Sequence, residues 1–138
     1  MHRDVSLIFF FKDDKILIQN RRDIRKGDED WGFFGVGIMP GESPEEALVR
    51  EIKEELDYNL AEYIFIRKSN HVFPGGSFTA FSFIAPLPDL KMFNQKEGQG
   101  FLLVTEEEAL KLKFNKPDYD IIRYVFEFLR SGKNKLGK

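Results

Sequence analysis

Apolar residues follow two different periods along this chain, and the changes of period mark its elements. Residues 5–11 (VSLIFFF) form a nearly continuous apolar run, as expected of a strand buried on both faces. Asp13, Asp14 and Lys15 predict a turn, and residues 16–20 the returning strand, so the chain opens with a hairpin. Residues 21–30 are a polar loop of mixed charge. Residues 31–41 mix aromatics with glycines and predict a short strand whose backbone passes close to a neighbour. The period then changes to that of a helix. Ser43 suits an N-cap, Pro44 the first helical position, and Glu46 the return arm of a capping box. Leu48, Val49, Ile52 and Leu56 form its predicted apolar stripe.

Further strands are predicted at 63–67, 77–84, 90–93 and 101–104, separated by loops at 68–76 and 94–100. Thr105 and Glu108 make a second capping box for a helix through Leu110. Residues 117–130 form a final amphipathic helix, with Ile121, Ile122, Val125, Phe126 and Leu129 on its apolar side. This order is not a regular βαβ alternation. It predicts an α+β fold in which a mixed β-sheet lies between helices, an α/β/α sandwich. One domain over 1–131 is expected, followed by a basic, disordered tail at 132–138.

Composition narrows the chemistry. A net charge of −2 over 138 residues offers no global attraction to a nucleic-acid polymer or a membrane surface. With no cysteine and two histidines, disulfides, thiolate chemistry and multi-histidine zinc sites are set aside. The first apolar run is too short to span a membrane and the start lacks a signal-peptide layout, so a cytoplasmic location is expected. Most of the fifteen phenylalanines should be core. Among Phe33, Phe34, Phe78 and Phe81, strand alternation leaves one to stack on a flat ligand. Trp31 reads as a packing residue at the sheet edge, and His71 as an exposed loop residue. Arg21, Arg22, Arg25 and Lys26 would suit either a solvated loop or a phosphate contact.

The helix at 44–58 carries more acid than a helix needs. Glu51, Glu54 and Glu55 stand at i, i+3 and i+4, where three carboxylates repel. A solvated acidic face is one reading. A hard divalent cation that takes oxygen ligands is the other. The preceding glycine loop matches neither the Walker pattern nor the dinucleotide fingerprint.

Glu42, then Arg50-Glu51-Ile52-Lys53-Glu54-Glu55 with seven residues between Glu42 and Arg50, resembles the Nudix box. The pattern's opening Gly falls on Val36, between Gly35 and Gly37, and its late Gly falls on Asp57. A β-branched residue resists positive φ. Either this loop does not need that conformation, or it shifts onto Gly37; Asp at the helix end tolerates it better.

The resemblance implies a Nudix fold and a pyrophosphohydrolase that cleaves a nucleoside diphosphate derivative by water activated on Mg²⁺, with Mn²⁺ as the alternative ion. It implies Glu51, Glu54 and Glu55 as metal ligands, with Glu51 and Glu54 also taking part in catalysis. Glu97, in a Gly-flanked loop, is a further candidate for both roles. Arg50 and Glu42 would pair and support the site, together with Gly35, Gly37 and Gly41. The partner would be a small-molecule nucleotide, with a nucleoside triphosphate favoured over nucleotide sugars. Monomer and homodimer both stay open. The competing reading is a Nudix-like module that binds nucleotide or regulates without catalysis, motivated by Val36.

Overall fold

A computed structural model describes residues 1–21, 29–94 and 100–132. The opening hairpin is β1 (His2–Lys12) and β2 (Lys15–Asn20), antiparallel, with Phe11 opposite Ile16. Asp13 takes the left-handed conformation in its turn. Two short strands follow, β3 (Trp31–Gly32) and β4 (Phe34–Gly37), and then α1 (Pro44–Leu56). Strands β5 (Ile64–Phe73) and β6 (Gly76–Pro86) form a second hairpin. Strand β7 (Phe101–Val104), α2 (Glu106–Leu110) and α3 (Asp118–Arg130) complete the chain.

The sheet path runs β3-β2-β1-β6-β5, with β4 paired to β1 and β7 to β2. The β1–β6 pairing is parallel and the others are antiparallel, so the sheet is mixed. Alternation along β1 builds both sides of the sandwich. Phe9 and Phe11 join Ile121, Ile122, Val125 and Phe126 of α3. Ile8 and Phe10 join Leu48, Ile52 and Leu56 of α1. This is the α+β sandwich that the order of elements predicts.

Two predicted elements differ. Residues 68–73 are strand, not loop: Ser69 and His71 are buried while Lys68, Asn70 and Val72 face solvent, the period-two pattern of an edge strand. His71 is therefore no exposed loop residue. Its Nε2 lies 2.7 Å from Ser69 Oγ and its ring stacks on Phe78. Burial and the Arg67 charge lower its pKa. Residues 90–92 form a single 3₁₀ turn capped by Asp89, which accepts from the Lys91 amide, rather than a strand.

The start of α1 is fixed locally. Ser43 Oγ accepts from the Glu46 amide at 3.0 Å, and Glu46 Oε1 accepts from the Ser43 amide at 2.8 Å. Ser43→Ala removes one arm of this box and is expected to cost about 1 kcal/mol. Urea unfolding should show a lower midpoint with an unchanged slope. Thr105 and Glu108 make the equivalent box on α2.

Candidate active site

Helix α1 lies on the sheet with Ala47, Leu48, Ile52 and Leu56 buried. Ser6 of β1 is fully buried and donates to the Pro44 carbonyl at 2.7 Å, fastening the helix start to the central strand. Val49, expected in the apolar stripe, is exposed instead, and Glu55 is buried at 8% exposure. Gln19 of β2, itself buried, donates from Nε2 to Glu55 Oε1 at 2.7 Å. The three glutamates differ in burial along this acidic side of the helix. Glu55 points into the sheet side, while Glu51 and Glu54 stay beside Arg50.

Arg50 gathers the rest. Its Nε donates to Glu42 Oε2 at 2.7 Å and its Nη2 to Glu42 Oε1 at 3.0 Å, a two-pronged pair. Its Nη1 donates to Glu54 Oε1 at 3.0 Å and stands 3.9 Å from Glu51 Oε1. Glu42 Oε1 also accepts from the Met39 amide at 3.0 Å. One guanidinium thus ties the end of the β4–α1 loop to the acidic turn of the helix. The Arg50 hydrogen bonds, followed by the Met39 amide, hold the Glu42 carboxyl at about 2. Glu42 in turn raises the Arg50 pKa, so both stay charged across the neutral range.

Gly35 is required by close approach. A Cβ there would stand 2.8 Å from the Ser6 carbonyl and would collide with the Leu7 side chain. At Gly37 the added atom would meet only the mobile end of Arg3. Gly41 has φ +85° with open space around it, so backbone conformation is what selects glycine there. Glu97, Arg22, Arg25 and Lys26 lie outside the described residues, as do residues 133–138 of the tail.

A cleft of about 440 Å³ opens on the α3 side of β4. Gly35, Val36 and Gly37 border it, and β4 runs from there into the loop that ends at Glu42. Trp31, Phe33 and Phe78 supply aromatic surface, and Arg3, Asn115 and Asp118 supply polar groups. Trp31 is thus a wall of the cleft rather than edge packing alone. Phe33 and Phe78 face the cleft, whereas Phe34 lies in the α1-side core. Asp118 keeps an accessible edge, but protein surrounds its carboxyl. Burial, followed by the nearby Glu29 charge, pushes it up to about 7, against the opposing pull of Arg21. Near neutrality this carboxyl can donate as well as accept a hydrogen bond.

The sequence reading missed Asp118 and Asn115 as cleft residues, and Gln19 as the partner of Glu55. An acid in the first turn of a helix has an ordinary explanation in the helix dipole, which hides Asp118. The one available signal for Gln19 is its position: it directly follows the apolar run Ile16-Leu17-Ile18, at the parity that faces α1.

The NUDIX domain model matches residues 1–125, most of the chain. The chain belongs to the NUDIX domain family. Solved structures agree on the fold. The E. coli ORF135 protein is 24% identical, with a TM-score of 0.75 over 97% of this chain and 94% of that one. MutT of Aliivibrio salmonicida and Vibrio cholerae is 23% identical, with a TM-score of 0.70 over 93% and 99%. The E. coli dihydroneopterin triphosphate pyrophosphohydrolase is 18% identical, with a TM-score of 0.66 over 95% and 96%. No curated protein matches the chain. Membership makes it a NUDIX-type hydrolase.

The two departures from the NUDIX pattern have simple structural outcomes. Val36 lies in β4 opposite Ser6, and neither it nor Gly37 takes positive φ, so the strand needs no glycine at that position. Asp57 does take the left-handed conformation, φ 51°, and caps α1 with its amide donating to the Lys53 carbonyl. The NUDIX acids suit a hard divalent cation in donor type, since all are carboxylates. Among the described residues, no group of three acidic, histidine or cysteine side chains closes around one point. The fit therefore lies in donor chemistry rather than in an assembled cage. No described helix is long and apolar enough to cross a membrane.

Proposed function

We propose that this NUDIX-type hydrolase is a divalent-cation-dependent pyrophosphohydrolase acting on a small nucleotide, a nucleoside triphosphate before a nucleotide sugar. The observation that carries this reading is the Arg50 fork, which joins Glu42 to Glu54 and lies near Glu51, at the end of the loop leaving the cleft. Glu51, Glu54 and Glu55 would hold Mg²⁺ or Mn²⁺, with Glu97 as a further candidate. Bound there, the ion would supply charge neutralisation of phosphate oxygens and a more acidic water.

The chain's own groups divide the remaining work. Arg50 fixes the direction of the Glu54 carboxylate. Glu42, held ionised at its low pKa, anchors Arg50 and is a poor proton acceptor. Glu51, whose Oε1 stands 3.9 Å from Arg50 Nη1, would take a proton from water. Trp31, Phe33 and Phe78 would accept a flat ring in the cleft while Asn115 and Asp118 read its polar edge. A structurally similar NUDIX protein bears the name of dihydroneopterin triphosphate, itself a triphosphate, which is in keeping with this substrate class.

The test is a screen for phosphate and pyrophosphate release over nucleoside triphosphates, nucleotide sugars and dinucleoside polyphosphates with Mg²⁺ or Mn²⁺. Fastest turnover of a nucleoside triphosphate is expected. Ligand-induced thermal stabilisation without release of either product would favour the second reading, a binding module.

A further inference from the structure

A buried glutamine connects the two halves of the site described above. Gln19 is 2% exposed and Glu55 8%, and they lie 36 positions apart. The register explains how they meet. Leu17 belongs to the α1-side core while Ile16 and Ile18 belong to the α3 side. Gln19 therefore shares the α1-facing row with Leu17. Its amide is oriented from both ends: Nε2 donates to Glu55 at 2.7 Å, and Oε1 accepts from Arg21 Nη1 at 3.4 Å.

Arg21 extends beyond the strand. It lines the cleft, and its charge acts on Asp118 there. Its stem lies across Gly32 of β3, where an added Cβ would collide with Arg21 Cδ. Glycine at that edge position lets the arginine cross the sheet. A line of contacts thus runs from the cleft through Arg21 and Gln19 to Glu55. The hydrogen bond to Glu55 comes from a neutral amide, which fixes the carboxylate's direction without adding a cation beside it. A lysine or arginine in that place would compete with a metal for the same oxygens.

We propose that Gln19, which lies outside the acidic motif, is a positioning residue: it sets the direction of the Glu55 carboxylate for divalent-cation binding, with Arg21 fixing the sense of its amide. This rests on the reading of Glu55 as a metal ligand. The experiment is Mn²⁺ binding, followed by electron paramagnetic resonance of the free ion, in wild type, Gln19→Leu, Glu55→Gln and the double variant. Leucine matches the volume and can be buried, and circular dichroism and thermal melts report whether each variant is folded.

Gln19→Leu should weaken Mn²⁺ binding about 10-fold, the low end of the range for lost outer-shell partners. It should have no further effect in the Glu55→Gln background, because its action passes through Glu55. Folded Gln19→Leu with wild-type Mn²⁺ affinity would overturn the positioning role alone. So would additive losses in the double variant. Should Gln19→Leu fail to fold, Gln19→Met in the same cycle decides by the same criteria. Wild type that binds no Mn²⁺ would overturn this inference together with the metal reading it rests on.

Discussion

Glu54→Gln and Glu55→Gln are each expected to lose most pyrophosphate-bond hydrolysis while remaining folded. The geometry makes both substitutions conservative. A glutamine at 54 can still accept from Arg50 Nη1, which donates to Glu54 Oε1 in the native chain. At 55 the amide oxygen can still accept from Gln19 Nε2. What disappears is charge and its affinity for a hard cation. Removing one preorganised charge-stabilising group lowers kcat on the order of 10²- to 10³-fold. Stability should move little. The Glu54 side chain is largely exposed, so its pair with Arg50 contributes about 0–1 kcal/mol. At Glu55, exchanging a buried carboxylate for an amide removes a desolvation penalty. Melting temperatures within a few degrees of wild type, with kcat reduced as stated, are the expected result. Undiminished turnover in both variants would remove these residues from the site.

The same helix shows what a sequence can and cannot reveal. Its start was legible because capping is local: Ser43, Pro44 and Glu46 act within one turn. Its core-facing row of Leu48, Ile52 and Leu56 was legible from period alone. The edges of that row were not. At about 100° per residue, Val49 and Glu55 stand about 60° to either side of Ile52, so the helix wheel treats them alike. Only the tertiary setting separates them. Ala47 is buried, which turns the buried arc toward the Glu55 side, and Gln19 waits there with a donor. The edge strand at 68–73 was missed for a related reason. Lys68, Asn70 and His71 look like loop residues until the sheet supplies Phe81 beneath the lysine and Phe78 beneath the histidine. The cleft was the least legible feature. Arg3, Trp31, Phe78 and Asp118 come from β1, β3, β6 and α3, and no local pattern links them. The parallel β1–β6 pairing, with Arg3 opposite Phe78, brings the first strand against a strand from the middle of the chain.

That cleft carries the second large expected effect, a stabilisation by Asp118→Asn that depends on pH. In the folded chain, burial and then Glu29 raise the Asp118 carboxyl from 3.8 to about 7. In the unfolded chain it ionises near its ordinary value. Between those two pH values the folded state holds a proton that the unfolded state has lost. Stability from this group therefore falls as pH rises from about 4 to about 7, and is level outside that window. Each unit of difference corresponds to ~1.4 kcal/mol. With the accessible edge of Asp118 screening part of the penalty, we expect it to reach on the order of 2 kcal/mol at pH 8. Asparagine keeps the shape and polarity of the side chain but cannot ionise, so the variant escapes that loss. Relative to wild type, its added stability should therefore grow by about 2 kcal/mol between pH 4 and pH 8, a shift of roughly 5–8 °C in Tm at this chain length. Urea titrations of both proteins at pH 4, 6 and 8 measure the difference directly. A gap of constant size across the three would mean that the Asp118 carboxyl titrates alike in the folded and unfolded chains. A gap that widens with pH means that the fold holds an uncharged acid in the cleft wall, at a cost in stability that a purely structural residue would have no reason to impose.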